Sequence, residues 1–431
     1  MSVDDGHQGG IMDARRWRSV VVALAGLGLL AACASGTTGS SGAANTLRVA
    51  VSAGDQAAME AVVAAFKQQN PAVTVKAEYL GTESYQAALR TQLSSGTAWD
   101  VMFVWPGNGN PGALQALQPY GYLQDLSDQK WAAQVPEWLK SVTQVDGKTY
   151  LLPMAFTGIG AIYNRTALTA VGRQAPTTWT ELLALCDAAK AAGKAAFALG
   201  NQTSWVTQLI DYALVATTVY ATNPDFDQQM KAGTAKFVGS GWQAAMDKYL
   251  EMNKRGCFQK DPLGTTYEAT ESQVAKGETV GIVQGTWELG KLSKLAPGTE
   301  FFMTPLPATD DPSQTRMPGA ASGGPGVNAK SKNKSLALQF VQFMAEPENM
   351  NKWASSGGSL PAFPNDQFTA GPEVVQFVQF QKAGRTVPFM DQLWPNPNVQ
   401  NVHFAGVQDM FSGKSKPAQV LGQMDAAYQK K

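Results

Sequence analysis

The sequence predicts an α/β fold divided between two lobes, on three observations. Short apolar strands alternate with amphipathic helices from Thr46 onward, the pattern of a largely parallel sheet covered by helices. About 400 residues follow an N-terminal leader, more than one hydrophobic core usually supports. The run Val101-Met102-Phe103-Val104 is apolar without a break, as a strand buried on both faces requires.

The elements follow in order. Arg15, Arg16 and Arg18 precede an apolar run from Val20 to Ala32. That run is shorter than the roughly 20 residues a bilayer-spanning helix needs, and it suits the apolar region of a signal peptide. It ends in Leu30-Ala31-Ala32-Cys33, which resembles a bacterial lipoprotein signal whose cleavage leaves the cysteine as the lipid-bearing N-terminus. A signal peptide over 1–32 is therefore expected, with lipid on Cys33 and Met12 as an alternative start. The small, polar stretch that follows reads as a flexible tether over 33–46, holding the body outside the cytoplasm on the outer face of the membrane.

TLRVAVSAG then alternates as a strand. DQAAMEAVVAAFKQQNP carries helical spacing and stops at Asn70-Pro71. VTVKAEYL and YQAALRTQLSSG repeat the pair, and Asp100 opens the apolar strand. In such sheets ligands sit beyond the carboxyl ends of the strands, near helix N-termini. Here those ends read Gly54-Asp55-Gln56, Gly81-Thr82-Glu83-Ser84 and Trp105-Pro106-Gly107-Asn108. Further on, Thr149–Leu168 holds a strand, and PTTWTELL opens a helix with Thr178 three residues before Glu181, a capping box. KGETVGIVQGTWELGKL reads as strand, turn and helix, and LALQFVQFMAEPENMNKWASSGG and VLGQMDAAYQ as helices.

Several chemistries are excluded. Lys and Arg together number 34, as do Asp and Glu, so no basic surface invites nucleic acid. Beyond the leader the only histidine is His403, which leaves one imidazole for any metal site or serine triad. Neither G-x-x-x-x-G-K-S/T nor G-x-S-x-G occurs, and Gly323-Gly324-Pro325-Gly326 has the wrong spacing to Lys330 for a phosphate loop. No catalytic residue, cofactor or metal is expected. Cys186 and Cys257 either form a disulfide, as an exported protein permits, or remain buried thiols.

Taken in order, the leader with Cys33, VAVSAG, Trp99-Asp100, GYLQDLSD, LLPMAFTGIGAIYNRTAL, PTTWTELL, KGETVGIVQGTWEL and SGGPGVNAKSKNKSLALQFVQFMAEPENMNKWASSGGSLPA resemble the family 1 extracellular solute-binding proteins, the sugar receptors of ABC importers. The resemblance covers essentially the whole chain beyond the leader. It implies a periplasmic-binding-protein-like clamp of type II, with discontinuous lobes closing on the ligand about a hinge. Crossings are expected near Leu152-Pro153, Leu306-Pro307 and Asn349–Trp353. That makes 47–152 plus 307–350 the first lobe and 153–306 plus 351–431 the second. The implied partners are a carbohydrate and the permease subunits, the implied state a monomer, and no enzymatic activity is implied. A polyol or glycerol phosphoester in the same fold is one alternative, with Arg165 or Arg385 to meet the phosphate. A secreted glycoside hydrolase is another, though no convincing acidic pair is visible.

A pyranose has an apolar face that stacks on aromatic rings and a rim of hydroxyls that needs directional partners. Ten of the eleven tryptophans lie beyond the leader, and most tryptophans are packing residues. Trp131, Trp138, Trp179 and Trp353 are expected to be structural. Trp287, after a strand's carboxyl end with Gln284 and Thr286 beside it, is the leading ligand platform. Trp105, Trp205 and Trp394 stand in strand-end or turn-rich segments and complete the aromatic set. Asp55, Gln56, Glu83, Asn108, Phe156 and Thr157 are the remaining side-chain candidates; Asp55 and Gln56 have the alternative of capping a helix. Gly323 and Gly324 would let backbone approach a ligand closely.

Overall fold

A computed structural model describes residues 45–430, so the signal peptide, Cys33 and most of the tether lie outside the described residues. Two main sheets organise the chain. The first has the strand order Gly324–Val327, Val101–Val104, Thr46–Ser52, Thr74–Leu80. Its three N-terminal strands are parallel and Gly324–Val327 joins antiparallel to Val101–Val104. The second centres on the long, wholly buried strand Ala155–Asn164. Thr279–Gly285 and Met317–Ala321 flank it antiparallel, and Ala195–Ala198 lies parallel to Thr279–Gly285. Each sheet has its own core: the first gathers Leu47–Ala155 with Ala321–Ala362, the second runs from Ile159 to Ala308 and on to Ala427.

Local chemistry sets the helices. Thr178 accepts the Glu181 N–H at 3.2 Å while Glu181 accepts the Thr178 N–H at 3.3 Å, the capping box the spacing predicts. Trp179 is buried with the Lys248 ammonium 4.1 Å from its ring centroid, a structural role. Among the described residues no helix is long and apolar enough to cross a membrane.

Three segments pass side by side between the sheets. Leu152 N–H donates to Pro325 O at 3.1 Å, and Ser322 N–H to Ala155 O at 2.7 Å. Leu360–Pro361 pairs with Ala155–Phe156, and Ala362 N–H donates to Met154 O at 3.3 Å. The first passage runs through Leu152-Pro153. The second comes at Ser322–Gly324 rather than Leu306-Pro307, because Met317–Ala321 still pairs with Phe156–Gly158 in the second sheet. The third comes at Ser359–Ala362 rather than Asn349–Trp353: the helix Pro347–Ser356 packs on Gln56–Gln69 and buries Met350 and Trp353 in the first core.

Cys186 and Cys257 are bonded to each other and fully buried, which settles the choice left open by the sequence. The bridge ties the helix Trp179–Ala191 to the end of Gly241–Arg255 across 71 residues. Replacing both with Ala is expected to lower unfolding stability by about 2–4 kcal/mol, since a loop of that length regains much entropy in the unfolded chain; denaturant titration measures it.

Candidate functional site

A cavity of about 450 Å³ lies where the strand ends of the first sheet face helix starts and loops attached to the second. On the first side, Asp55 follows Thr46–Ser52, Glu83 opens the helix Thr82–Ser95, and Trp105 ends Val101–Val104. On the second side stand Thr157, Trp205, Tyr267 and Trp287, with Asp391 and Gln392 from a single 3-10 turn.

The aromatic walls are held by specific packing. Trp105 stands edge-on to Phe103 (centroids 4.9 Å, 78°) and Tyr85 (5.6 Å, 62°). Trp205 meets Tyr267 edge-on at 5.0 Å. Trp287 starts the helix Trp287–Leu295, and its ring lies across Gly285, where any Cβ would sit 2.1 Å from the indole. Its other edge comes within 4.0 Å of a Cβ built on Gly54, so it reaches from one side of the cavity to the other. A glycine is required at 285 by this close approach.

Behind Tyr267 lies a buried polar cluster. The Tyr267 hydroxyl donates to Glu288 Oε2, and Lys291 donates to Glu271 Oε1. Burial first, and then the charge of Glu271, raise the Glu288 carboxyl to about 8. Asp55 keeps part of its surface open to the cavity, yet the protein packed around it raises it to about 7. Burial likewise raises Asp391 to about 6, against opposing help from a backbone N–H and the Tyr212 hydroxyl, and burial raises Asp227 to about 6. These four carboxyls hold protons in the folded protein at pH values where the unfolded chain has lost them. The folded state therefore binds more protons between about pH 4 and 8, and its stability falls as pH rises through that window. The apo protein is expected to melt a few degrees higher at pH 5.5 than at pH 8, and Glu288→Gln to flatten that slope.

The structure brings Asp55, Glu83, Trp105, Thr157, Trp205, Trp287 and Gly323 to the cavity. Asp55 does not cap the adjoining helix, so its carboxylate stays available. Glu83 Oε1 accepts the Ser204 N–H at 3.1 Å and its hydroxyl at 2.5 Å, a link across the cavity mouth. The other candidates lie elsewhere. Gln56 points outward and donates to Glu60 at 2.8 Å. Asn108 donates its Nδ2 to Pro395 O at 2.5 Å. Phe156 stacks on Phe377 at 5.4 Å beneath Trp138. Gln284 is fully buried with its Oε1 turned back to Gly285 N–H, and Thr286 pairs with Ser359 Oγ at 2.8 Å. Gly324 abuts Leu152 O. Trp394, 3% exposed, turns into the second core beside Tyr212, Trp242 and His403. There it covers the buried His403–Asp211 hydrogen bond of 2.8 Å.

Sequence reasoning missed Arg90, Tyr212, Tyr267, Asp391, Gln392, Gln400 and Phe404, all of which line the cavity, and Trp353, which lines it from within the first core. For two of them a signal existed: Asp391 and Gln392 belong to the loop DQLWPNPN that Trp394 marked. That loop lines the cavity through Asp391 and Gln392, while Trp394 does not. Arg165 pairs with Glu300 at 2.7 Å and Arg385 binds the carbonyls of Pro312, Ser313 and Thr315; neither lines the cavity.

Comparison with known proteins agrees with this geometry. The family model described as "Bacterial extracellular solute-binding protein" matches residues 61–382. A binding protein of Brucella abortus is 24% identical over 430 residues, covering 94% of this chain and 96% of that one. The "Multiple sugar-binding protein" of Streptococcus mutans is 22% identical over 307 residues, covering 70% and 71%. Among solved structures, a "Chitin oligosaccharide binding protein" superposes with a TM-score of 0.75 at 19% identity, covering 89% of this chain and 98% of that chain; that likeness gives the two-lobed fold. With three quarters of its length matched by the family model, this chain belongs to the bacterial extracellular solute-binding proteins.

Proposed function

We propose that the protein is the carbohydrate-capturing receptor of an ABC importer, binding a short saccharide between its lobes and handing it to the permease without breaking a bond. One observation carries this reading: aromatic faces from both sides, Trp105 against Trp205, Tyr267 and Trp287, surround a cavity whose wall also presents carboxylate, amide and hydroxyl groups. Rings meet the apolar faces of pyranoses and the polar groups meet their hydroxyls. A cavity of about 450 Å³ is in the range of small-ligand sites. The names of the Streptococcus mutans relative and the chitin-oligosaccharide binder support the same class.

In this reading the first lobe is built on the sheet of Thr46–Ser52 and the second on that of Ala155–Asn164, with the three adjacent crossings as hinge. Ligand contacts come from Asp55, Glu83, Trp105, Thr157, Trp205, Tyr267, Trp287, Asp391 and Gln392. Closure excludes water and strengthens each polar contact. A lipid on Cys33 keeps the monomeric receptor at the outer face of the membrane.

The test is a saccharide panel followed by melting temperature and tryptophan fluorescence, with the same mixtures assayed for cleavage. A bound saccharide raises the melting temperature because it binds only the folded state, and the expected result is stabilisation with no new reducing ends. Turnover at a catalytic rate would instead make it a glycoside hydrolase. A shift only with glycerol phosphoesters would change the ligand class.

A further inference from the structure

The charge of the cavity goes further than its aromatic walls. Three carboxylates line it, Asp55 and Glu83 on the first side and Asp391 on the second, against a single cation, Arg90. Glu83 is already committed to Ser204. Among the described residues Asp55 accepts no hydrogen bond from its own helix start, and neither Asp55 nor Asp391 takes part in an ion pair. The Asp391 carboxylate has the Gln400 amide at 3.3 Å. A backbone N–H, the Tyr212 hydroxyl and the buried His403 favour the charged form of Asp391, whereas only burial acts on Asp55. A half-buried carboxylate without a cation is unfavourable, and closing the cavity over a ligand removes the water that now solvates it.

Neutral hydroxyls would satisfy the lone pairs of these oxygens, but they would do little to keep Asp55 ionised against the burial that favours its neutral form. An ammonium supplies hydrogen-bond donors and the missing charge together, and charge-assisted hydrogen bonds are roughly twice as strong as neutral ones. We infer that the preferred ligand is a short amino-sugar oligosaccharide whose protonated amine sits against Asp55, with Asp391 accepting from the same ligand on the opposite wall. The aromatic platforms then hold the pyranose faces, and the negative wall turns away uronates and sugar phosphates. The inference rests on the carbohydrate reading above.

Calorimetry with three matched oligosaccharide series decides it: glucosamine oligomers, their N-acetylated counterparts with the amine neutralised, and uronate oligomers of the same length. The expected result is that the free-amine series binds at least about tenfold tighter than the acetylated one, and that uronates bind most weakly. Raising the salt from about 20 to 500 mM should weaken the amine series and leave the acetylated series nearly unchanged, a readout that needs no variant. In Asp55→Asn, checked for native circular dichroism, the amine-to-acetyl preference should fall to about threefold or less. Equal affinity for the two series, a preference insensitive to salt, or tighter uronate binding would each overturn the amine assignment while leaving a carbohydrate receptor. If none of the three series binds while another saccharide of the panel does, the amine assignment falls alone; if no saccharide of the panel binds, the carbohydrate reading falls and this inference with it.

Discussion

Replacing Trp287 with Ala is expected to weaken ligand binding by about thirtyfold or more while the protein remains folded. A buried aromatic anchor at the centre of a site contributes about 2 kcal/mol or more on truncation, which is that factor in affinity. Trp287 is half-buried without ligand, lies across Gly285 and spans the cavity toward Gly54, so a bound ligand would complete its burial. The fold should persist because the helix Trp287–Leu295 is anchored by Leu289 and Leu292, which are buried in their own cluster. Calorimetry of the variant, with its apo melting curve as control, measures both halves of the expectation. Undiminished affinity would show that the ring only fills space.

Replacing Gly109 with Ala is expected to weaken binding about tenfold or more by opposing closure. The loop Trp105–Pro111 lies directly on the backbone of Asp391–Pro395, where Asn108 donates to Pro395 O. A methyl on Gly109 would sit 2.5 Å from Asp391 O and 2.6 Å from its Oδ2. Overpacking of this kind typically costs 1–3 kcal/mol, and here it bears on the closed arrangement, since the two segments belong to opposite sides of the cavity. Gly107 makes an even closer approach, 2.1 Å from Gln392 O, but its φ of +72° would add backbone strain to any substitution. Gly109 isolates the contact. Small-angle scattering should find the variant more open in the presence of ligand than the parent; equal compaction and affinity would refute the clamp contact.

Much of the fold was legible because its signals are local. Alternation in TLRVAVSAG, the unbroken apolar run at Val101–Val104 and the capping box at Thr178 each depend on a few neighbouring residues. The positions of the later crossings were not legible. Met317–Ala321 could pair with either sheet by its composition, and partner choice depends on strands more than 150 residues away. The same limit governed the site. Trp394 and Trp287 both stood beside turns, yet Trp394 found a pocket among Tyr212, Phe237 and Trp242 in the core. Trp287 lies over Gly285 at the edge of that core and stayed at the cavity.

By itself, then, the sequence determined the lobed α/β architecture, the solute-binding family and the strand-to-helix turn of TVGIVQGTWELG, because periodicity, capping and motif order are carried along the chain. Only the tertiary structure decided which side of that turn faces the cavity. Gln284 and Thr286 are consumed by Gly285 and Ser359, while Trp287 meets Tyr267 and Asp391 from distant segments around one cavity. Such a gathering depends on how the two sheets are set against each other, and no local run of residues encodes that placement.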